Sequence, residues 1–237
     1  MVIAGIVAGG IGKRMGNSSV PKQFLEIGGK PVIIHTVEKF LVSPDIDNIV
    51  IGVHVDWVDY LGDLLRKFIP EQMLKLVAVT EGGNNRNETI DKILQKASSL
   101  WEISNDTIFV THDAVRPFVS LEIIAENVKA AKEYGVCDTV VGATDTIVQS
   151  SNHKWISEMP VRNEMYQGQT PQSFQYGLFK EVYASMTDEE LELVTDACKL
   201  FYLRNKLVYL VEGSNMNFKI TYPFDLKMAK CMLEEEK

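Results

Sequence analysis

The sequence predicts an α/β fold, Rossmann-like, in which a mostly parallel sheet carries helices on both faces. Short apolar runs alternate with segments of helical periodicity along most of the 237 residues, and this alternation is typical of βαβ units. Glycine-rich or polar turns follow three of the apolar runs, as expected at the edge of such a sheet where ligands bind. A chain of this length can bury a full core, so we expect one domain over residues 1–237.

The predicted elements follow a regular order. The apolar run at residues 2–7 predicts a buried first strand, and a helix over residues 31–41 begins at Pro31, which suits a first helical turn. Residues 56–68 have the apolar spacing of an amphipathic helix. The other strands are predicted at residues 48–53, 76–80, 107–111, 139–143 and 208–211. The other helices are predicted at residues 89–100, 121–134, 188–203 and 223–233.

The alternation stops between residues 138 and 170. Residues 146–149 and 154–156 flank a turn-like segment, which predicts a β-hairpin that projects from the sheet. The pattern alone leaves two interpretations open, a surface decoration or a protruding β-arm that contacts another molecule. We place this insertion at about residues 139–170.

Composition excludes several classes of protein. With 24 Lys and Arg against 32 Asp and Glu, the net charge is −8, which argues against a nucleic-acid surface. No stretch approaches the roughly 20 apolar residues of a membrane span, and the N-terminus lacks the basic segment of a signal peptide. Cys137, Cys198 and Cys231 lie far apart in the sequence and indicate free, buried thiols in a reducing cytoplasm.

The loop after the first strand is the strongest functional feature. Glycines let backbone N–H groups approach a phosphate, and Arg14 and Lys22 supply positive charge that suits a triphosphate. Arg14 stands where a P-loop needs Ser or Thr, and Met15 stands where a dinucleotide-binding fingerprint needs glycine, so neither motif fits. The glycines alone fit an ordinary tight turn equally well. The loop begins with Val7, Ala8, Gly9, Gly10 and Gly12.

A second polar turn follows the third predicted strand. Its adjacent glycines allow close approach to a flat base, and its amide, guanidinium and hydroxyl groups can read the edge of that base. The alternative is a solvated turn that caps the next helix through Asn87. The residues concerned are Gly82, Gly83, Asn84, Asn85, Arg86, Asn87, Glu88 and Thr89.

A third block, which contains His112, Asp113 and Arg116, follows the fourth predicted strand. A carboxylate at a strand end can hold Mg²⁺ on phosphates, whereas a structural salt bridge between Asp113 and Arg116 is the alternative. We expect His112 to be packed or hydrogen-bonded rather than catalytic. The four histidines lack the spacing of zinc ligands.

Further polar blocks lie in the second half of the chain. Arg162 follows the predicted arm, and a guanidinium suits bidentate contact with a phosphate monoester. Lys219 lies among apolar residues after a predicted strand, where its charge needs a partner. Thr146 lies on the predicted arm. The alternative to a functional role for this residue is that it is an ordinary strand threonine facing solvent.

Together these blocks resemble the small cytidylyltransferases, which include 2-C-methyl-D-erythritol 4-phosphate and ribitol-5-phosphate cytidylyltransferases. The resemblance runs from residue 1 to about residue 235. It is carried by A-G-G-x-G-x-R-M with P-K-Q, by G-G-x-x-R-x-x-T, by H-D-A-x-R-P, by Q-T-P-Q, by T-D-A and by N-F-K-I-T.

The resemblance implies transfer of a cytidylyl group from CTP to a polyol phosphate, and it assigns roles to the residues above. Arg14, Lys22 and Lys219 are expected to be catalytic, and Asp113 is expected to bind Mg²⁺ and nucleotide. The glycine loop and the second polar turn are expected to bind the nucleotide. The residues expected to hold the acceptor are Arg116, Thr146, Arg162, Thr170 and Lys219.

Two further expectations come from the same resemblance. The family's β-arm hooks around a second subunit, which implies a homodimer in which Thr146 of one subunit reaches the acceptor at the other. Some members carry an acidic residue immediately before the asparagine of N-F-K-I-T, where this chain has Met216, and this departure weakens any magnesium site with two carboxylates.

The acceptor predicted from the sequence around Q-T-P-Q is D-ribitol 5-phosphate. Residues 166–172, which start with Tyr166 and Gln167, resemble the ribitol-5-phosphate branch. The alternative acceptor is 2-C-methyl-D-erythritol 4-phosphate. Two other classes compete with this interpretation: a nucleotide-binding regulatory module, and a sugar-1-phosphate nucleotidyltransferase that uses UTP or GTP.

Overall fold

A seven-stranded sheet lies at the centre of the protein, which we describe from a computed structural model covering residues 1–10, 20–194 and 196–235. Because hydrophobic and β-branched residues dominate the first strands, these strands are buried on both faces. The strands are β1 (Val2–Ala8), β2 (Glu26–Ile27), β3 (Lys30–Pro31), β4 (Asn48–Val53), β5 (Val77–Glu81), β6 (Ile108–Asp113), β7 (Val136–Gly142), β8 (Tyr166–Gln175) and β9 (Tyr209–Glu212).

The strand order in the large sheet is β5-β4-β1-β6-β8-β7-β9, and β2 pairs with β3 separately. Strand β1 runs parallel to β4 and β6, β4 runs parallel to β5, and β7 runs parallel to β9. Only β8 runs antiparallel to its neighbours, β6 and β7, among the strands of the described sheet. The predicted α/β fold with a mostly parallel sheet is therefore confirmed.

Helices cover both faces of the sheet, as the sequence predicts. Side chains alternate along a strand, so Ile3 of β1 faces one layer while Ala4 and Ile6 face the other. Helices α1, α2 and α5 pack on the face of Ala4, and helices α4, α6 and α8 pack on the face of Ile3. The helices are α1 (Val32–Leu41), α2 (Val58–Phe68), α3 (Glu71–Leu74), α4 (Arg86–Leu100), α5 (Leu121–Tyr134), α6 (Tyr176–Ala184), α7 (Asp188–Leu193), α8 (Ala197–Leu203) and α9 (Pro223–Glu235).

Helix α4 lies unusually close to the sheet because of a glycine in β4. A Cβ at Gly52 would lie 2.7 Å from Cγ2 of Thr89 and 3.1 Å from the side chain of Ile93. Any larger residue at position 52 would therefore push α4 outward. This close packing holds the N-terminus of α4, and with it the second polar turn, against the carboxyl edge of β1 and β4.

Strand β8 and helix α6 are elements that the sequence pattern does not reveal. Strand β8 has the polar sequence YQGQTPQSFQ with a proline inside it, which normally argues against a central strand. The proline is tolerated because the pairing of β7 with β8 shifts register between Asp138 and Val140, so Pro171 lies at an irregularity in the ladder.

The helix predicted over residues 188–203 is two helices, α7 and α8. Thr187 begins α7 with a capping box, in which its hydroxyl accepts from the N–H of Glu190 and the Glu190 carboxylate accepts from the N–H of Thr187. Asp196 begins α8, and its carboxylate accepts from the backbone N–H of Cys198 at 2.8 Å and of Lys199 at 3.3 Å. A second N-cap inside the predicted helix is what divides it.

The predicted hairpin is reduced to one isolated bridge, and the protruding β-arm is not confirmed. Gln149 pairs with Glu158 through backbone bonds of 2.8 and 3.4 Å, and this is an isolated bridge. The strands predicted at residues 146–149 and 154–156 therefore do not form a ladder. Asn152 forms the turn by accepting from the N–H groups of Lys154 and Trp155. Trp155 is 75% exposed, and a two-stranded hairpin that packs on nothing is marginal.

The cysteine prediction is confirmed for two residues and wrong for the third. Cys137 and Cys198 are free and buried, whereas Cys231 is free and exposed on α9, because it lies on the outer face of that helix. Among the residues that the structure describes, no helix combines the length and the apolar character that crossing a bilayer requires.

Candidate active site

The first two polar blocks meet at the carboxyl edge of the sheet. The loop after β1 lies against the start of α4, since a Cβ at Gly9 would lie 3.1 Å from Oγ1 of Thr89. The backbone N–H of Gly83 donates to the same oxygen at 3.0 Å. A Cβ at Gly83 would collide with the side chain of Glu88, so only glycine fits this turn. The structure thus joins the two blocks that the sequence assigns to the nucleotide.

The second polar turn is held in shape by its own side chains. Asn85 is the N-cap of α4 and accepts from the N–H of Glu88 at 2.9 Å. The Glu88 carboxylate accepts from the backbone and amide N–H groups of Asn84 and from the amide of Asn85. Asn87, the cap suggested by the alternative interpretation of this turn, does not cap the helix, because its amide is buried and donates to the carbonyl of Val194 at 2.7 Å. Much of this block therefore preorganises the glycine turn.

Gln23 anchors the glycine loop, although the sequence assigned it no role. Its amide nitrogen donates to the carbonyls of Ala8 at 2.8 Å and Gly10 at 3.0 Å, and the residue is 2% exposed. The neighbouring Lys22 donates through Nζ to the carbonyl of Ile220 at 2.9 Å. The signal that could have revealed the roles of Lys22 and Gln23 is the 3₁₀ turn that begins at Pro21. This turn directs the side chain of Gln23 inward and that of Lys22 toward the site.

Asp113, at the end of β6, is surrounded by three cations. Arg86 forms an ion pair with its Oδ1 through Nη1, and Lys219 Nζ lies 2.9 Å from its Oδ2. Arg116 Nε lies 3.4 Å from the same Oδ2. Burial alone would raise the pKa of Asp113, but Arg86, Lys219 and Arg116 outweigh burial and hold that pKa well below its usual range. The cluster carries more positive than negative charge, which suits a polyanion.

The two arginines are fixed more firmly than Lys219. Arg116 is buried, which lowers its pKa, and it donates through Nη1 to the carbonyl of Asn217 at 2.7 Å. Arg86 has a raised pKa, because Asp113 and Asp196 together outweigh the effect of its burial. Its Nη2 is buried without a partner among the residues described, which leaves a donor for a ligand or a water. The Lys219 side chain is 39% exposed and is therefore the most accessible member of the cluster.

Comparison with known proteins assigns this arrangement to a family. The family profile described as IspD, 2-C-methyl-D-erythritol 4-phosphate cytidylyltransferase, matches residues 2–235. The chain belongs to this family. Ribitol-5-phosphate cytidylyltransferases of Streptococcus pneumoniae strain ATCC 700669 / Spain 23F-1 and of serotype 19F strain G54 are each 47% identical to it over 236 residues, covering 100% of both chains.

Solved structures of the same family share the fold. The 4-diphosphocytidyl-2C-methyl-D-erythritol synthase of Anaerococcus prevotii DSM 20548 is 26% identical, with a TM-score of 0.79 over 98% of this chain and 96% of that one. The 2-C-methyl-D-erythritol 4-phosphate cytidylyltransferase of Francisella tularensis is 26% identical, with a TM-score of 0.78 over 97% of this chain and 98% of that one. The similarity therefore covers essentially the whole chain.

Two family motifs, Q-T-P-Q and N-F-K-I-T, interlock behind Lys219. The amide nitrogen of the fully buried Asn217 donates to Oε1 of Gln169 at 3.1 Å and to the carbonyl of Thr170 at 2.8 Å. Gln169 in turn donates to the carbonyl of Ser214 at 2.9 Å. These bonds fix the segment that presents Lys219, so Asn217 and Gln169 have a positioning role. The sequence did not indicate this role, because the partners of both residues are distant in the sequence.

His112 is a buried structural residue, as expected from the sequence. Its Nε2 lies 3.0 Å from the carbonyl of Arg116, and its Nδ1 lies 3.0 Å from Oγ1 of Thr170. Burial lowers the pKa of His112 to about 4, so the ring is neutral at pH 7. This ring has neither a free nitrogen nor the solvent access that a general base needs.

Of the predicted acceptor residues, Arg116 and Lys219 lie in the Asp113 cluster, and the other three do not. Thr170 is 4% exposed, and its hydroxyl accepts from the N–H of Asp113 at 3.1 Å, so the side chain supports β6 and is not open to the acceptor. Arg162 and Thr146 are exposed, and within the described part of the chain neither side chain bonds to the Asp113 cluster. The described chain therefore does not bring these two residues to the cluster.

Some predicted site residues lie outside the part of the chain that the structure describes. Gly12 and Arg14 fall within residues 11–19, and Thr195 of the T-D-A motif is also outside the described ranges. Met216, which stands where some members of the family carry an acidic residue, is 56% exposed. The described cluster consequently offers one carboxylate, that of Asp113, to a metal ion.

Proposed function

We propose that the protein transfers the cytidylyl group of CTP to D-ribitol 5-phosphate, giving CDP-ribitol and pyrophosphate. The observation that carries this proposal is the cluster of Arg86, Arg116 and Lys219 around Asp113, beside two glycine turns at one edge of the sheet. The name shared by the relatives at 47% identity favours ribitol 5-phosphate over 2-C-methyl-D-erythritol 4-phosphate as the acceptor.

The chemistry requires positioning and charge more than a protein nucleophile. An oxygen of the acceptor phosphate attacks the α-phosphorus of CTP, the bond from that phosphorus to the bridging oxygen breaks, and pyrophosphate leaves. The attacking oxygen is already an anion, so no general base is needed, in agreement with the buried, neutral His112. Lys219, Lys22 and Arg14 stabilise the negative charge that grows on the phosphoryl oxygens.

The nucleotide occupies the space between the two glycine turns in this proposal. Backbone N–H groups of the loop after β1 face the triphosphate, and the second turn, which begins at Gly82 and Gly83, holds the cytosine ring. The bonds among Asn84, Asn85 and Glu88 keep that turn ready before CTP arrives, which lowers the ordering cost of binding.

Mg²⁺ is proposed as the cofactor, with Asp113 as its protein ligand. Magnesium in nucleotide enzymes commonly takes one or two carboxylates and completes its shell with phosphate and water, so a single carboxylate fits. Lys219, which is bound to Oδ2 of Asp113, would move from that oxygen to the phosphates. When bound, the ion neutralises charge on the phosphates.

The acceptor is proposed to lie between two subunits of a homodimer in the cytoplasm, where CTP is available. Arg116 contributes positive charge from the cluster, whereas Arg162 and Thr146 come from the partner chain. Exposed apolar side chains on the same segment support such an interface, because isolated monomers rarely leave them uncovered. They are Trp155, Ile156, Met159 and Val161, which are 60–75% exposed.

Mixing two inactive variants tests the shared site. We expect a mixture of Lys22→Ala and Arg162→Ala subunits to regain about a quarter of the wild-type activity, because half of the random dimers are mixed and each has one intact site. A mixture of Lys22→Ala and Lys219→Ala, whose lesions lie in the same site, is the matched control and should stay inactive. No recovery in the first mixture would place Arg162 in its own subunit's site.

A substrate panel tests the reaction itself. We expect pyrophosphate release with CTP and ribitol 5-phosphate, and a kcat/KM at least about 10-fold higher than with 2-C-methyl-D-erythritol 4-phosphate, since unpaired polar groups reject a poorly matched acceptor. UTP and GTP with sugar 1-phosphates serve as controls for the competing enzyme class. Equal or greater efficiency with the methylerythritol acceptor would overturn the choice of acceptor, and nucleotide binding without turnover would favour a regulatory module.

A further inference from the structure

The segment that carries Lys219 connects β9 to α9, and its second half is fastened by bonds that the proposed reaction does not use. Asn217 and Gln169 hold the part before Lys219. The part after Lys219, residues 220–222, is held by partners in α9 and in the block that follows β6. These partners bear on catalysis only through Lys219, so the role inferred below rests on the proposed function.

Ile220 ties the backbone next to Lys219 to two other parts of the site. Its N–H donates to the carbonyl of Val115, in the H-D-A-V-R-P block, at 2.9 Å. Its carbonyl accepts from Nζ of Lys22 at 2.9 Å. The side chain is fully buried in a small apolar cluster that also contains Ile27, Val32, Val115 and Ala229. The position of Lys219 therefore depends on how the residues around Ile220 are held.

Asp225, in the first turn of α9, holds the two residues that follow Ile220. Its Oδ2 accepts from the backbone N–H groups of Thr221 at 2.8 Å and of Tyr222 at 2.7 Å. Pro223 is the first residue of α9, so Asp225 occupies the third helical position. From that position a carboxylate can reach back to N–H groups that precede the helix, and the helix dipole favours its negative charge. Asp225 thereby fixes the direction in which the Lys219 segment enters α9.

Thr221 links Asp225 to the backbone of Lys219. Its N–H donates to Asp225, and its hydroxyl donates to the carbonyl of Lys219 at 3.2 Å. Thr221 is buried, so loss of the carboxylate would leave its N–H without an acceptor, which is costly inside a protein. The segment would have to move to satisfy that N–H, and the carbonyl of Lys219 would move with it.

We propose that Asp225 is a positioning residue for cytidylyl transfer, because it holds the backbone of residues 219–222 where the Lys219 ammonium can reach both Asp113 and the phosphates. The ammonium lies 2.9 Å from Oδ2 of Asp113 and stands at the end of a flexible four-carbon stem. A fixed backbone limits the positions that such a stem samples, and a small misplacement of a charged group lowers the rate. Asp225 acts through its two backbone bonds and is not itself a catalytic group.

Steady-state kinetics of two Asp225 variants test this role. We expect Asp225→Ala to lower kcat by about 10-fold or more and to change the KM for CTP by less than about 2-fold, because the ammonium contact strengthens in the transition state. Asp225→Asn keeps an oxygen that can accept from both N–H groups, so its kcat should stay within about 3-fold of wild type. An unchanged kcat in Asp225→Ala, or an equal loss in both variants, would overturn the proposal.

Two further variants separate positioning from a general loss of structure. Thr187→Ala removes the cap of α7 and is the matched control for loss of a helix cap, so it should leave kcat unchanged. If Asp225 acts through Lys219, Asp225→Ala should lower kcat by only about 3-fold or less in the Lys219→Ala background. The same loss of about 10-fold in that background would refute the positioning role.

Hydrogen exchange of residues 219–222 measures the positioning without any substrate. We expect these amides to exchange at least about 10-fold faster in Asp225→Ala than in the wild type, and equal exchange would refute the proposal. Thr187→Ala should leave the exchange of this segment unchanged. A wild-type enzyme that releases no pyrophosphate would overturn the proposed function alone, and hydrogen exchange would then decide whether Asp225 holds the segment.

Discussion

Lys219→Ala is expected to lower kcat by about 100-fold or more, because the lysine contact strengthens as negative charge develops in the transition state. Its ammonium lies 2.9 Å from Oδ2 of Asp113 and is partly exposed, so it can move onto the phosphates without leaving the cluster. Steady-state pyrophosphate release at saturating CTP and ribitol 5-phosphate measures the effect. The proposal gives Lys22 and Arg14 the same role, so their alanine variants should lose kcat to a similar extent.

A matched control separates this effect from a general loss of charge. Lys129→Ala removes a lysine whose ion pair with Glu126, at 3.9 Å, lies on the surface of α5, and we expect it to leave kcat unchanged. Lys219→Ala should fold normally, because Asp113 keeps Arg86 and Arg116 as partners. A kcat close to wild type in a folded Lys219→Ala enzyme would remove this lysine from the mechanism.

The parts of the fold that follow from local pattern were predictable. Strands β1, β4 and β6 are apolar runs buried on both faces, and helices α2 and α5 have clear apolar stripes. Strand β8 was not predictable, because its backbone carbonyls accept hydrogen bonds from residues that are distant in the sequence. Thr111 donates to the carbonyl of Gln172, and Thr139 donates to the carbonyl of Pro171. A polar segment can be assigned to the centre of a sheet only when its hydrogen-bond partners are known.

The candidate site was likewise predictable only in part. The sequence places Asp113, Arg116 and Lys219 in motifs at the ends of elements, and the structure brings them together. The sequence does not reveal that Arg86, which was assigned to the nucleotide base, forms an ion pair with Asp113, because the two residues are 27 positions apart. Thr146 and Arg162 are exposed and do not bond to the Asp113 cluster within the described part of the chain, so the roles predicted for them stay predictions.

Asp113→Asn is expected to lower the free energy of unfolding at neutral pH by about 3–5 kcal/mol, because it leaves buried guanidinium groups without their carboxylate. Asparagine keeps the shape of the side chain and removes only the charge that Arg86, Arg116 and Lys219 share. Urea denaturation monitored by circular dichroism measures the change. Asp63→Asn is the matched control, since its Arg66 partner at 2.6 Å is exposed, and we expect a loss of about 1 kcal/mol or less.

The difference in stability between wild type and Asp113→Asn should also depend on pH. Because Arg86, Lys219 and Arg116 outweigh burial, the pKa of Asp113 in the folded protein lies well below its usual range, whereas an unfolded aspartate titrates near about 3.9. The carboxylate therefore contributes its full stabilisation above that unfolded value and loses it as the pH falls toward the folded value. Protonation of His112 and of the other carboxylates occurs in both proteins and largely cancels from the difference. Urea denaturation of the pair at pH 7, 5, 4 and 3 should show a constant gap down to about pH 4 that narrows below it; a gap that stays the same at pH 3 would show that the charge of Asp113 is not what stabilises the cluster.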